Sequence, residues 1–261
     1  MIDYNYHTHT FRCGHAFGTE RQYIENAISL GIKVLGFSDH IILKDKDEES
    51  RIKFEDYIDT INKLKEEYKN KIEIHLGFEA EYIEDRVEYY KTLLKEKKVE
   101  YLILGQHYVD YKDKNDAWIG YFKNLGNQEE FAKYYLKAIK KALKLGLFTY
   151  IAHPDMVIKC FDSVTKKYLR FARKICVLAK KYNTPLEINL NGLKNKAKHP
   201  TDPTFYPNED FFKIAGEVGN DIIIGIDAHE EDFFFKANYQ YAFDLIEKYH
   251  LHHINRVNFK N

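Results

Sequence analysis

The sequence predicts an α/β protein with a mainly parallel sheet, because short apolar strands alternate with amphipathic helices along most of the chain. A helical pattern over residues 20–30, for example, is followed by Gly31 and then by the apolar run 34–37. We count seven strands, which favours either a (β/α) barrel close to the eight-stranded type or an open doubly wound sheet. The predicted strands cover residues 4–7, 34–38, 72–78, 101–104, 148–152, 186–190 and 222–226.

The predicted helices end where a glycine or an asparagine follows. Gly31 follows the helix over 20–30, Gly146 follows 128–145, Asn183 follows 164–182 and Gly219 follows 208–218. Glycine and asparagine tolerate a positive φ and are therefore typical of the residue that stops a helix. In each case an apolar strand comes next, so the connections have the length and order of βαβ crossovers.

The composition indicates one folded domain over residues 1–261. Hydrophobic residues make up 44% and charged residues 31% of the chain, which is enough apolar material for one sizeable core. No linker rich in proline, glycine or serine divides the sequence. The longest poorly patterned segment, residues 110–127, follows a predicted strand, and barrels commonly place functional loops at that position.

The charge balance argues against a nucleic-acid or membrane partner. The 40 basic and 40 acidic residues cancel, whereas dedicated nucleic-acid binders usually carry a basic excess. No apolar run reaches the roughly 18 residues of a membrane-spanning helix, and no secretory signal is recognisable. Cys13, Cys160 and Cys176 show no paired spacing, which predicts a reducing, cytoplasmic location. Zero net charge still allows a local positive pocket. The sequence leaves the oligomeric state open.

Histidine placement carries the functional signal. Seven of the 12 histidines lie at or just after the carboxyl ends of predicted strands. In a parallel barrel these ends form one face, so residues from distant segments meet there. Imidazole and carboxylate together are the ligands of hydrolytic centres that hold Zn, Mn or Fe. The histidines are His7, His9, His15, His40, His107, His153 and His229, and the acids placed in the same way are Asp39, Glu79, Asp155 and Asp227.

Residue spacing sharpens this prediction. His7 and His9 are two apart at a strand end, so their side chains point to the same face and can bind one ion. Asp227 and His229 repeat this spacing on the last strand, which is next to the first strand in a closed barrel. A carboxylate at the position of Glu79 can bridge two ions, because each oxygen can bind one.

The set carries more weight than any single motif. One His-x-His motif recurs by chance and is weak evidence of a metal site. Seven histidines that each follow a different structural boundary are much harder to explain by chance. We expect Cys13, between two of these histidines, to be a packing residue, although a thiolate could also bind a soft metal.

Several motifs make the sequence similar to the polymerase and histidinol phosphatase (PHP) superfamily, and most closely to the PHP-type histidinol-phosphate phosphatases. The resemblance extends over nearly the whole chain, and Cys13-Gly14-His15-Ala16 is its most subfamily-specific part. The other motifs are His7-Thr8-His9-Thr10, Phe37-Ser38-Asp39-His40, Gly77-Phe78-Glu79, Gly105-Gln106-His107, Ala152-His153-Pro154-Asp155, Glu187-Ile188-Asn189 and Ile226-Asp227-Ala228-His229.

The resemblance implies a distorted seven-stranded (β/α) barrel of the TIM type that holds three divalent ions at the carboxyl face of its strands. Their identity stays open between Zn, Mn and Fe. Asp39 and Asp155 are expected to orient neighbouring imidazoles from outside the ligand set. The implied ligands are His7, His9, Glu79 and Asp227 for one ion, Glu79, His107 and His153 for a second, and His15, His40 and His229 for a third.

The resemblance also implies hydrolysis of L-histidinol phosphate in histidine biosynthesis, by a metal-bridging hydroxide held by the first group of ligands. Three divalent ions bring more positive charge than Glu79 and Asp227 remove, which suits a phosphomonoester dianion. Lys194 replaces an arginine that family members often use to hold the phosphate, and Lys159 and Asn189 are further candidates for substrate binding.

Two alternatives are left open by the residues. The chain could be a phosphoesterase of the same superfamily that acts on nucleotides or other small phosphate esters. It could also be a non-catalytic, regulatory metal-binding module, although its complete set of predicted ligands argues against that role.

Overall fold

The computed structural model describes residues 2–41, 48–111, 114–119, 127–199 and 201–260. Its strands are β1 (Tyr4–Asn5), β2 (Val34–Phe37), β3 (Glu73–Ala80), β4 (Tyr101–Leu104), β5 (Tyr108–Tyr111), β6 (Lys114–Trp118), β7 (Leu186–Asn189), β8 (Asp221–Gly225) and β9 (His252–His253). Its α-helices are α1 (Glu20–Ser29), α2 (Glu48–Tyr68), α3 (Val87–Lys95), α4 (Gln128–Leu145), α5 (Lys166–Lys181), α6 (Asn191–Lys198), α7 (Glu209–Val218), α8 (Phe233–Lys236) and α9 (Tyr239–Lys248). Short 3-10 helices cover Phe11–Cys13, Glu84–Arg86 and Pro154–Cys160.

The main strands form a curled parallel sheet, as predicted for an α/β fold. Strands β1 to β4 pair in sequence order, and β7, β8 and β9 form a second parallel set. Single bridges from Ile151 to Leu104 and to Leu186 connect the two sets. Another bridge pairs Thr8 with Ala228, so the segment after β1 lies beside the segment after β8. All of these strands therefore direct their carboxyl ends to the same side of the molecule.

The predicted count of seven strands is not reproduced as seven full strands. The predicted strand over 148–152 is reduced to the bridging residue Ile151, because the backbone turns at His153 and Pro154 begins a 3-10 helix. Strand β1 also ends earlier than predicted. The side chain of Asn5 accepts a hydrogen bond from the backbone N–H of Ile226 at 2.9 Å, which replaces a strand-to-strand bond.

Burial explains why the strands read as continuous apolar runs. Every residue of β2, β4 and β7 is buried. A parallel sheet whose two faces are both covered excludes water from both sides of each strand, so side-chain alternation disappears. The buried hydrophobic side chains form one continuous core that includes all of β4 and residues of α1, α4 and α5.

Helix ends follow the signals in the sequence. Helix α1 begins with Thr19 as its N-cap, and Thr19 and Gln22 form a capping box. Helices α4 and α7 end at Gly146 and Gly219, whose φ angles are 66° and 75°. The glycine stops predicted from the sequence are therefore confirmed at both helices.

The antiparallel hairpin of β5 and β6 lies in the segment that lacked a clear pattern. Tyr108 pairs with Trp118 across the hairpin. Part of the segment predicted as a functional loop, residues 112–113 and 120–126, lies outside the described residues. In the part of the chain that the structure describes, no helix has the length and apolar character needed to cross a membrane.

Candidate metal centre

Seven of the nine predicted metal ligands line a cavity of about 690 Å³ at the carboxyl ends of the parallel strands. His40 follows β2, Glu79 lies near the end of β3, and His107 follows β4. Asp227 and His229 follow β8. Because parallel strands share one carboxyl edge, these side chains from distant parts of the sequence line the same space.

Glu79 lies at the centre of the cluster and is only 2% exposed. Its Oε1 atom lies 2.9 Å from His153 Nε2 and 3.7 Å from His107 Nε2. Its Oε2 atom lies 3.1 Å from His40 Nδ1 and 3.3 Å from His9 Nε2. The two oxygens thus face different histidines, which is the arrangement needed by a carboxylate that bridges two ions.

The pairing between the first and last parts of the sheet brings His7, His9 and Asp227 together. The backbone N–H of His9 donates to the carbonyl of Ala228 at 2.9 Å. His7 Nε2 and His9 Nε2 lie 3.0 Å apart. Asp227 Oδ1 lies 3.4 Å and 3.3 Å from these two atoms. Two imidazole nitrogens and one carboxylate oxygen therefore point at a common centre.

The third predicted group is brought together less evenly. His15 Nε2 and His229 Nε2 lie 3.0 Å apart. The ring of His40 lies 5.1 Å from that of His15 and 6.3 Å from that of His229, and its Nδ1 is directed at Glu79. The thiol of Cys13 is within 4.8 Å of ligand atoms of His15 and His229, and Cys13 is buried.

Two of these residues have a backbone conformation that residues other than glycine rarely adopt. His153 has a φ of 32° and Asp227 a φ of 53°. Such left-handed positions cost free energy and often occur at functional sites. His153 lies two residues after the bridging Ile151, and Asp227 lies two residues after Gly225, the last paired residue of β8, and both side chains line the cavity.

Charges in the cluster compensate one another. Burial alone would lower the pKa of His7, but the carboxylates of Glu187 and Asp227 outweigh burial and raise it to about 10. Burial likewise opposes the charge of Asp227, whose pKa is nevertheless held well below its usual range by His7 and His229. The cluster therefore requires positive charge close to its carboxylates, and either protons or metal ions can supply it.

Glu187 is a site residue that the sequence prediction missed. It is fully buried, its Oε1 lies 2.8 Å from His7 Nδ1, and its Oε2 accepts the backbone N–H of His153 at 2.9 Å. A carboxylate at Nδ1 fixes the ring so that Nε2 faces the cavity. The sequence feature that could have identified Glu187 is its position on β7, near the carboxyl edge and two residues before Asn189.

Asn189, which is predicted to bind substrate, makes its hydrogen bonds within the protein. Its Nδ2 donates to Glu187 Oε2 at 2.8 Å and to Asp227 Oδ2 at 3.0 Å. Its Oδ1 accepts the backbone N–H of Asn191 at 3.1 Å. Because both hydrogens of the amide are used inside the protein, Asn189 positions the two carboxylates and has no hydrogen left for a substrate.

Asp39 and Asp155, which are predicted to orient imidazoles, accept hydrogen bonds from other groups. Asp39 accepts the backbone N–H and the hydroxyl of Thr10 at 2.7 Å and 2.8 Å. Asp155 accepts the backbone N–H of Asn208, the N-cap of α7. Burial raises the pKa of both carboxyls to about 7. Through these hydrogen bonds Asp39 holds the segment that carries Thr10, and Asp155 holds the start of α7.

The two predicted phosphate-binding lysines have protein partners. Lys194 Nζ lies 2.6 Å from Glu230 Oε1. Lys159 Nζ lies 4.2 Å from the centre of the Phe205 ring. Neither is among the described residues that line the cavity. A phosphate-binding role would require Lys194 to exchange its carboxylate partner for the substrate.

The residues present fit a group of divalent ions. His9 Nδ1, His153 Nδ1 and Asp227 Oδ1 are buried atoms without a hydrogen-bond partner, and such atoms are rare in folded proteins. Several triads of histidine, cysteine and carboxylate side chains place their ligand atoms within 4.8 Å of one another, among them His7, His9 and Glu79. Imidazole and carboxylate donors in this number suit Zn, Mn or Fe.

A curled parallel sheet with a histidine-rich cluster at its carboxyl edge defines a class of α/β proteins with a multi-metal site. The chain belongs to the PHP domain family, which matches residues 5–191. The resemblance inferred from the sequence motifs is therefore confirmed at the level of the family.

Named relatives and a solved structure are similar to most of the chain. The histidinol-phosphatase of Bacillus subtilis is 27% identical over 256 residues, which cover 86% of this chain and 92% of that protein. A Deinococcus radiodurans protein named "Probable histidinol-phosphatase" is 27% identical over 229 residues, covering 86% and 85%. The histidinol phosphate phosphatase of Lactococcus lactis, solved with zinc, L-histidinol and phosphate, has a TM-score of 0.72 at 20% identity and covers 98% of each chain. This last likeness shows the shared fold.

Proposed function

We propose that the chain is a metal-dependent phosphomonoesterase that hydrolyses L-histidinol phosphate to L-histidinol and phosphate. The observation that carries the proposal is the buried Glu79 carboxylate, whose two oxygens face separate sets of histidines in one cavity. The names of the relatives and the ligands of the Lactococcus lactis structure support the choice of substrate. This activity belongs to histidine biosynthesis.

The proposed ligand set has three groups, two of which share the central carboxylate of Glu79. The first two groups are supported by the short distances from Glu79 to His9 and His153, and from Asp227 to His7. Support for the third is the close approach of His15 and His229, with His40 at the side of Glu79. The proposed ligands are His7, His9, Glu79 and Asp227, then Glu79, His107 and His153, and finally His15, His40 and His229.

The residues of the chain prepare the cavity for a phosphate dianion. Divalent ions, when bound, supply Lewis-acid stabilisation of phosphoryl oxygens and lower the pKa of water. The carboxylates of Glu79 and Asp227 alone would repel a phosphate, so they are suited to hold cations rather than substrate. Glu187 keeps Nδ1 of His7 hydrogen-bonded, and Asn189 ties Glu187 to Asp227. The ligand atoms are therefore held in place before substrate arrives.

A panel of phosphate esters tests this proposal. The protein is loaded in turn with zinc and manganese, and hydrolysis is measured for histidinol phosphate, nucleoside monophosphates and p-nitrophenyl phosphate. We expect kcat/KM to be highest for histidinol phosphate. Turnover of nucleotides only would identify a different phosphoesterase of the family. No turnover at full metal occupancy would identify a non-catalytic metal-binding module.

We also propose that residues 1–261 form one distorted seven-stranded barrel domain. The bridges of Ile151 to Leu104 and Leu186, and of Thr8 to Ala228, support this topology, since they join the two parallel sets on both sides. A reducing, cytoplasmic location is supported by three cysteines that are free and buried. The expected partner is a small phosphomonoester, without nucleic acid or membrane.

A further inference from the structure

We propose that Glu81, together with Tyr108 and Trp118, forms the subsite that binds the cationic, nitrogen-bearing part of the substrate. This inference rests on the proposed histidinol-phosphatase function and assigns a role to a carboxylate outside the predicted ligand set. Glu81 lies just after β3, two residues beyond Glu79, and lines the same cavity. Alternation along the strand directs both carboxylates to the same side.

Hydrogen bonds fix the position of Glu81 and leave part of its carboxylate available. Oε2 accepts the backbone N–H of Tyr108 at 2.9 Å. Oε1 lies 3.5 Å from His107 Nδ1, at the outer limit of a hydrogen bond. The side chain is 20% exposed, so it is held by the protein and still reachable from the cavity. A fixed carboxylate oxygen of this kind can accept a hydrogen bond from a bound ammonium or imidazolium group.

Aromatic residues line the cavity near Glu81. The hydroxyl of Tyr90 donates to the carbonyl of Glu81 at 3.0 Å, the backbone N–H of Tyr108 donates to its carboxylate, and Trp118 also lines the cavity. Tyr108 and Trp118 face each other across the hairpin of β5 and β6 and are 42% and 49% exposed. Exposed aromatic rings beside a carboxylate are a favourable environment for an organic cation with an aromatic ring.

The cavity lining matches the charge distribution of the proposed substrate. The phosphate end is a dianion and would be suited to the proposed metal ligands with their cations bound. The other end carries an amine, protonated near pH 7, and an imidazole ring with a pKa of about 6.5 in a histidine side chain. A cavity of about 690 Å³ is large enough for both ends of a small ligand. Glu81 has the charge that the amine or imidazolium end requires.

The experiment compares two substrates that differ in the charge of the leaving group. Glu81→Gln keeps the size of the side chain and removes its charge. We expect kcat/KM for histidinol phosphate to fall about 10- to 100-fold, mainly through KM, because a hydrogen bond to a charged group is lost. Hydrolysis of p-nitrophenyl phosphate, whose leaving group carries no positive charge, should change less than about threefold, a difference within ordinary context effects. Calorimetry should give a matching loss of L-histidinol affinity with unchanged phosphate affinity.

A matched control and the metal content separate this role from a structural one. Glu84→Gln removes an exposed carboxylate that pairs with Lys141 of α4 and does not line the cavity. This variant should leave the hydrolysis of both substrates unchanged. If Glu81 only orients His107, the variant should lose metal or lose both activities in parallel, and either result would overturn the subsite. Wild-type protein that hydrolyses p-nitrophenyl phosphate but not histidinol phosphate would overturn the proposed function as well.

Discussion

Two glycines determine how deeply the central carboxylates can lie in the sheet. A Cβ atom at Gly105 would lie 1.8 Å from Glu79 Oε1, and one at Gly225 would lie 1.7 Å from Glu187 Oε1. Neither glycine has a positive φ, so the requirement is space rather than backbone conformation. Each carboxylate occupies the volume that a side chain on the neighbouring strand would otherwise fill.

Gly105→Ala should therefore disable the metal centre without changing any ligand. The added methyl group displaces the Glu79 carboxylate, and we expect loss of bound metal and a decrease in kcat/KM of at least about 100-fold, as is common when a site shifts by about 1 Å. Metal stoichiometry and turnover are the measurements. Gly146→Ala is the control, because a Cβ there has open space but a strained φ of 66°. It should lower stability by about 1 kcal/mol and keep the metal.

Glu79→Gln should impair two groups of ligands at once. A carboxylate can offer one anionic oxygen to an ion beside His7 and His9 and the other to an ion beside His107 and His153, whereas a neutral amide cannot. The metal content should therefore fall at more than one position. We expect hydrolysis to be abolished while the fold, followed by circular dichroism, is retained. Glu73→Gln, at the opposite end of β3 and largely exposed, is the matched control. Near-normal turnover of metal-loaded Glu79→Gln would refute the assignment.

That His7, His9 and Asp227 cluster could be predicted from single residues, whereas the residues that support them could not. Residue type and spacing at strand ends identify His7, His9 and Asp227 in the sequence. The role of Glu187 depends on the alignment of β7 with the end of β1, which are far apart in sequence. The same limit applies to Asn189, whose hydrogen bonds to Glu187 and Asp227 are visible only in the folded chain.

At the scale of elements, Glu100 ties α2 and β3 to the beginning of β4. It accepts the backbone N–H of Leu76 at 3.0 Å, lies 2.7 Å from His75 Nδ1 and forms an ion pair with Lys65. Although burial disfavours its charge, His75 and Lys65 lower the pKa of Glu100 to about 2. The stabilisation is thus fully present above the unfolded pKa of about 4.3 and is lost as the pH falls toward about 2.

Glu100→Gln should consequently cost stability in a pH-dependent way. At pH 7 we expect a loss of about 1 kcal/mol in the free energy of unfolding, a modest value because the side chain is about one third exposed. The difference from wild type should shrink at pH 3. Urea unfolding of metal-free samples of both proteins measures this without a contribution from metal release. Glu88→Gln, which removes an exposed pair with Lys91, should have almost no effect at either pH. If the difference in unfolding free energy between wild type and Glu100→Gln were the same at pH 7 and pH 3, the lowered pKa of Glu100 would not contribute to stability.

Element boundaries were predictable where local signals dominate. Glycine stops at Gly146 and Gly219 mark the ends of α4 and α7, and apolar runs mark β2 and β4. The strand over 148–152 was overestimated because its hydrogen bonds are interrupted by the turn at His153, which the apolar pattern does not reveal. The hairpin of β5 and β6 was missed because its residues are polar and aromatic without clear alternation.

For the molecule as a whole, neutrality is an average over an uneven distribution of charge. The chain has 40 basic and 40 acidic residues, yet several buried histidines and carboxylates are concentrated at one edge of the sheet. Buried ionisable groups are costly unless they are paired or bind metal. In the metal-free protein, protons on residues such as His7 supply the positive charge beside Asp227. Bound cations would remove this requirement, so metal binding and the stability of the whole fold are coupled.

Removal of metal should therefore lower the thermal stability of the entire chain. Binding at 100 times the dissociation constant stabilises a folded protein by about 2.7 kcal/mol, which corresponds to a Tm change of roughly 5–10 °C for a domain of this size. We expect chelation to lower Tm by this amount and re-addition of zinc or manganese to restore it, as followed by calorimetry with elemental analysis. In Glu79→Gln the same treatment should change Tm much less, because fewer ions are held at the outset. An unchanged Tm after verified removal of metal from the wild-type protein would show that the cluster is stable without cations and that the coupling does not exist.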